Sequence, residues 1–196
     1  GPSLVGDAGI TNALPDTVLA LYGSSGEITS NDNWKETQRF VIEQAGLAPK
    51  NNLESAIVAT LDPGAYTAIV SGKNGTTGVG LVEAYDLDNA GSASQLANIS
   101  TRGFVETGDN VMIGGFIVFG DGAQSVLVRA IGPSLGPPGV ANPLGDPTLT
   151  LYDRDGLPID FNHHRPDNPA PAQLDTPGPA PGPPHGPAIL PPPAHP

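Results

Sequence analysis

The sequence predicts an all-β protein: an antiparallel β-sandwich, jelly-roll-like, with one short helix and a proline-rich, extended C-terminal tail. Three observations lead there. Short β-branched and aromatic runs recur between clusters of Gly, Asn, Asp and Pro, at the spacing of sandwich strands. The stretch Gly1 to Asn33 is written a second time, in altered form, at Gly132 to Asn162. Prolines are segregated, 13 of the 23 lying in residues 166–196.

Val18 to Tyr22 is the first strand in this reading. Trp34 to Ala45 is the helical candidate. Asn31, Asp32 or Asn33 can cap it, Glu36 falls near its third position, Phe40, Val41 and Ala45 share a face, and Gly46 and Pro49 end it. Ser55 to Leu61 and Ala65 to Ser71 flank Asp62-Pro63-Gly64, whose Pro and Gly suit the central positions of a type II turn, so a hairpin is expected. Gly72 to Gly78 is a glycine-rich connection; it has the look of a phosphate cradle, but no helix follows it. Val79 to Tyr85, Gln95 to Ser100, Phe104 to Glu106, Val111 to Phe119 and Gln124 to Ile131 complete the strands, the last two joined across Gly120-Asp121-Gly122 as a second hairpin. Asp146 to Asp153 begins a new unit. From Arg165 onward the large apolar side chains are Leu174, Ile189 and Leu190, too few to offset ordering entropy. Extended polyproline II is expected there unless a neighbouring surface holds the segment.

The two copies align closely. Gly1-Pro2-Ser3-Leu4 recurs as Gly132-Pro133-Ser134-Leu135 at an offset of 131, and Leu19-Ala20-Leu21-Tyr22 as Leu149-Thr150-Leu151-Tyr152 at 130, so one residue is lost between them. Gly26, Ile28 and Asn31 return as Gly156, Ile159 and Asn162. A period this long is a whole domain and not a solenoid repeat. The expected divisions are a sandwich unit over residues 1–131, a partial second copy over 132–162 and the tail over 163–196.

Composition narrows the function classes. The net charge of -12 repels phosphate backbones and anionic membrane surfaces, so nucleic acid is not an expected partner. No apolar run approaches ~18 residues, so no membrane insertion is expected. The longest run, Val111 to Phe119, is broken by Gly114 and Gly115. Absence of cysteine excludes disulfides and thiol chemistry without settling the compartment. The chain opens at Gly1 without a charged leader and apolar run, so a secretory signal is expected to be removed or to lie outside this fragment.

Catalytic signatures are missing. His163, His164, His185 and His195 all lie at or beyond the end of the expected folded part, which removes a Ser-His-Asp arrangement from residues 1–162. No Gly-x-Ser-x-Gly, His-Glu-x-x-His or Walker loop occurs, and no catalytic residue or enzyme activity is expected. Hard oxygen donors alternate at Asn31-Asp32-Asn33, at Asp86-Leu87-Asp88-Asn89 and at Asp153-Arg154-Asp155-Gly156. Asp32, Asp86, Asp88, Asp153 and Asp155 are the candidate calcium ligands; Asx-turns and helix capping are the alternative duty for the same residues. No other cofactor is expected. Trp34, Tyr22, Tyr66, Tyr85 and Tyr152 could form a sugar-stacking platform or pack at the core and rim.

Several phrases carry a resemblance in combination. They are Gly-Pro-Ser-Leu, the Leu-x-Leu-Tyr strand followed by Asn31-Asp32-Asn33-Trp34, residues 63–70, residues 78–86, residues 98–103, residues 108–118 and residues 126–133. Over Gly1 to about Asn162 the chain resembles the tandem β-sandwich repeats of large secreted or surface proteins of environmental bacteria, and its first half is similar to bacterial pre-peptidase C-terminal type domains. The resemblance implies an extracellular or cell-surface, non-catalytic module. In the family one unit runs into the next, whereas here the second copy stops after Asp160 and the tail departs from the pattern. A surplus strand with an apolar face seeks a sheet edge, and Leu149, Leu151 and Tyr152 are the candidate inter-subunit residues. The expectation is a structural subunit of an extracellular bacterial filament, self-associating head to tail by β-strand addition or exchange. The alternative is an adhesin module that binds polysaccharide or calcium.

Overall fold

A computed structural model of the chain describes residues 1–88, 94–118 and 124–162, with the backbone of 188–189. It divides into two compact units, Gly1–Ile99 and Ser100–Pro196.

In the first unit, Pro2 fixes the entry to a single helical turn, α1 (Leu4–Asp7), closed by hydrogen bonds from the Leu4 N–H to the Gly1 carbonyl (3.1 Å) and from the Val5 N–H to the Pro2 carbonyl (3.2 Å). Strand β1 (Thr17–Gly23) then pairs antiparallel with β2 (Gly26–Asn31) through a two-residue Ser24-Ser25 turn. The register runs from Leu19↔Asn31 to Gly23↔Gly26, with a bulge between Leu21 and Tyr22. Gly26 leaves the turn at φ 115°, a conformation that glycine alone adopts without strain. After helix α2 (Arg39–Gln44), strand β3 (Thr67–Gly72) pairs with the opposite edge of β1, from Thr17↔Gly72 to Tyr22↔Thr67. The sheet order is therefore β2-β1-β3, with the apolar β1 in the middle.

Leu14, Trp34 and Ile42 are the buried apolar residues of this unit, and Thr17, Asn31 and Glu54 are the buried polar ones. Each of these three polar side chains has partners, as burial requires. Asn31 donates to the Asn33 carbonyl (3.1 Å) and accepts the Ala56 N–H (3.0 Å). The Thr17 hydroxyl accepts the Ser55 N–H (3.0 Å) and lies 2.9 Å from the Ser55 hydroxyl. Gln38 clasps Val58 both ways, donating to its carbonyl (2.7 Å) and accepting its N–H (2.9 Å).

These bonds explain two departures from the expected elements. Residues 55–61 form no hairpin with 65–71, because residues 55–58 are held by side chains of Thr17, Asn31 and Gln38, and β3 takes β1 as its partner. The helix is shorter than 34–45. Residues 34–37 form a turn, in which the Trp34 N–H bonds to the Glu54 carbonyl (2.9 Å) and the indole to the Asn51 carbonyl (3.1 Å), and the helix starts at Arg39. Ile42 is the residue that faces inward, while Phe40 is 72% exposed.

The second unit contains two small antiparallel sheets. Strand β4 (Val128–Arg129) pairs with β7 (Ala188–Ile189), and β5 (Leu149–Tyr152) pairs with β6 (Pro158–Asn162). Strand β7 falls inside the stretch expected as polyproline II, at one of its few apolar points. The rest of that tail, the four histidines, Asn89 and the Gly120-Asp121-Gly122 turn lie outside the described residues.

The chain is thus β-rich, with antiparallel sheets of three and two strands and few helices. The opposing layer of a sandwich is not formed by the described residues. Residues 80–88, 94–107, 111–118 and 124–127 carry strand-like sequence, yet they form no ladder among the described residues. A strand is stable only with a partner edge and a covered face. Without these, Phe104, Ile113 and Ile117 stand more than four-fifths exposed, at 82%, 85% and 86%.

Candidate functional site

The duplicated segment provides the site. The β5–β6 hairpin repeats four of the five pairs of β1–β2, all but Gly23↔Gly26 at the turn: Leu149↔Asn162 matches Leu19↔Asn31, Thr150↔Phe161 matches Ala20↔Ser30, Leu151↔Asp160 matches Leu21↔Thr29, and Tyr152↔Pro158 matches Tyr22↔Glu27. The bulge falls at the same step, between Leu151 and Tyr152. The corner before it is repeated too. Leu135 N–H bonds to the Gly132 carbonyl (2.9 Å) and Gly136 N–H to the Pro133 carbonyl (3.1 Å), as Leu4 and Val5 do in the first copy. Next come the equivalent bonds Ile10 N–H to Leu4 carbonyl and Val140 N–H to Leu135 carbonyl, both 3.1 Å. The residue lost between the copies therefore lies between Leu135 and Val140.

The copies differ in what surrounds them. The first is enclosed by β3, Glu54 and Val79. Leu14 N–H bonds to the Val79 carbonyl (2.8 Å) and Val79 N–H to the Asn12 carbonyl (2.9 Å), a parallel bridge that leaves Leu14 4% exposed. Its counterpart Leu144 is 42% exposed. Tyr22 is half-buried, whereas Tyr152 is 57% exposed. Leu149 and Leu151 are half-buried, and β5 pairs with β6 alone among the described strands. On β6, Ile159 and Phe161 share one face and are exposed; Phe161 stands where the first copy has Ser30.

Glu54 closes the first copy's corner. One carboxylate oxygen accepts the Ser3 N–H (2.9 Å) and hydroxyl (2.5 Å), and the other accepts the Asn51 N–H (3.2 Å). Burial pushes its pKa up, but the Ser3 and Asn51 hydrogen bonds and the nearby amino group outweigh that and hold it below the ordinary value. Residues 135–196 contain no glutamate to stand where Glu54 stands for Ser3. Neither Glu54 nor β6 was legible beforehand. A lone carboxylate before a strand carries no pattern, although the alternation Ile159, Phe161 was a signal for β6.

The calcium candidates fall in separate turns. Asp32 pairs with Lys73. Asp86 accepts the Asp88 N–H (3.0 Å), and Asp153 accepts the N–H groups of Asp155 (2.9 Å) and Leu157 (2.8 Å). The bonds from Asp88 and Asp155 are Asx-turn bonds. Among the described residues no three acidic or histidine side chains converge as a metal cluster. Of the aromatic residues, Trp34 is buried, while Tyr22 and Tyr66 line a shallow groove with Asp62, Pro63 and Gly64. Hydrogen bonding to Glu27, reinforced by that carboxylate's charge, raises the Tyr22 pKa.

Comparison with family models, with curated proteins and with solved structures gives no match for this chain. Among the described residues, no helix is long and apolar enough to cross a membrane.

Proposed function

We propose that the protein is a structural subunit of an extracellular bacterial filament, joined head to tail through its second copy, residues 132–162. One observation carries this reading. The β5–β6 hairpin reproduces four cross-strand pairs and the bulge of β1–β2, but among the described residues it has no β3-type third strand, so β5 offers a ladder edge and Leu144, Tyr152, Ile159 and Phe161 offer apolar surface. An edge of that kind is a template for another chain, and identical subunits joined through unlike surfaces form open fibres where the rotation does not close a ring. The exposed apolar residues of 104–117 fit a sandwich whose second layer is completed on association. Resemblance to tandem surface repeats supports the same assignment, since such units abut their neighbours along a chain.

Negative-stain electron microscopy tests it. The full chain should give fibres, and a chain lacking Asp146 to Pro196 should stay monomeric; fibres from the shortened chain would overturn the mechanism. The groove between Tyr22 and Tyr66 favours a second reading, a polysaccharide-binding adhesin module. That module would remain globular on the same grids and would lose glycan binding on Tyr66→Ala.

A further inference from the structure

We infer that the two copies compete for one acceptor: the first copy is the intramolecular occupant of the β3–Glu54–Val79 surface, and assembly proceeds when the second copy of a neighbouring molecule takes its place. This rests on the filament reading and specifies its joint. The first copy touches its acceptor through a short set of groups. Ser3 bonds Glu54, the β1 edge pairs with β3, Leu14 pairs with Val79, and Asn31 accepts the Ala56 N–H. The second copy carries the same groups as Ser134, Leu149 to Tyr152 and Leu144, on a hairpin of the same register. Between residues 136 and 196 the sequence supplies no glutamate and no repeat of residues 53–79. Residues 53–79 of a second copy of this chain carry both.

Room at the acceptor is specific to this segment. A Cβ at Gly78 would sit 2.7 Å from the Leu14 nitrogen and 2.8 Å from the Asn12 oxygen, so the surface is shaped for a backbone passing at that distance. Leu144, exposed in its own unit, has the side chain that fits the enclosed Leu14 position.

The copies are not equivalent, and the difference sets the order of events. Thr17 gives its N–H to the Leu53 carbonyl (3.2 Å) and its hydroxyl to the Ser55 contact, but the matching residue is Pro147, which has neither group. Lys73 pairs with Asp32, whose position in the second copy is His163. The first copy also has the advantage of tethering, an effective concentration on the order of millimolar. The closed monomer is therefore the resting form, and exchange with a neighbour follows its opening.

Because the chain has no cysteine, engineered pairs report the joint directly. In the first copy Leu19 lies opposite Val70 and Leu21 opposite Ala68, so exchange places Leu149 opposite Val70 and Leu151 opposite Ala68 of another molecule. Directly opposed strand residues are within disulfide reach. The variant Leu149→Cys with Val70→Cys, oxidised under assembly conditions, should give a ladder of covalent multimers on a denaturing gel without reductant. Leu151→Cys with Ala68→Cys is the second pair, should the first perturb folding. Filaments without intermolecular crosslinks from either pair, or crosslinks confined to monomers, overturn the exchange while leaving the filament reading intact. Absence of filaments from the unmodified protein overturns both.

Discussion

Leu14 and Leu144 occupy matched positions in the two copies, so truncating each to alanine is a controlled comparison of enclosure. Leu14 is 4% exposed and lies against the backbone of Val79 and Gly80, where a Cβ at Gly80 would be 3.9 Å from its Cδ2. Removing its side chain forfeits transfer free energy and leaves a cavity, together about 3 kcal/mol. For a unit of this size that lowers the melting temperature by roughly 12 °C. Leu144 is 42% exposed, so the same substitution forfeits about half the transfer term and opens no enclosed cavity, about 1 kcal/mol or less. Calorimetric melting of both variants at a concentration below assembly is the assay. Equal shifts, or a Leu14→Ala shift under about 3 °C, would refute the claim that Leu14 is enclosed and Leu144 is not. In assembled protein the contrast should narrow, because Leu144 then acquires its own cover.

Glu54→Gln should cost about 1 to 3 kcal/mol in urea unfolding, since charge-assisted bonds to Ser3 and Asn51 become neutral ones. The Glu54 pKa is lowered on folding, so its stabilising contribution is complete above the unfolded value of about 4.5 and is lost as pH falls below it. The Gln variant should lose that part of the acid dependence, and an unchanged pH profile would count against the lock. Gly78→Ala should displace residues 12–14 from Val79 and destabilise the first unit by about 2 kcal/mol or more, read by the same melts. Asp153→Ala should remove two turn hydrogen bonds at a cost of about 1 kcal/mol, and millimolar calcium should leave the melting temperature of the parent protein unchanged. A calcium-dependent rise would show that the acidic turns hold the ion.

Much of the β1 strand, the stop at Gly46 and the duplication were readable because each is a local signal. Val18 to Tyr22 is a β-branched and aromatic run, Gly46 sits at φ 71° just past α2, and the repeated corner needs only Pro2 or Pro133 to begin its turn. The helix start was not readable. Residues 34–37 are instead a turn fastened by Trp34 to the Glu54 and Asn51 carbonyls, about 20 residues away in sequence. The partner of β3 was hidden for the same reason. Asp62-Pro63-Gly64 favours a hairpin with residues 55–61, but Thr17, Asn31 and Gln38 satisfy that backbone first, and β1 is left to pair with β3.

By itself the sequence determined that one segment is present twice, with an offset that changes by a single residue, and that its strands prefer extended backbone. Only the tertiary structure decided that the two copies share a register and a bulge while differing in enclosure. Propensity and repetition are properties of neighbouring residues along the chain. Burial of Leu14 and exposure of Leu144 depend on whether Glu54, β3 and Val79 are brought to the segment, and that is fixed by long-range hydrogen bonds no local pattern records.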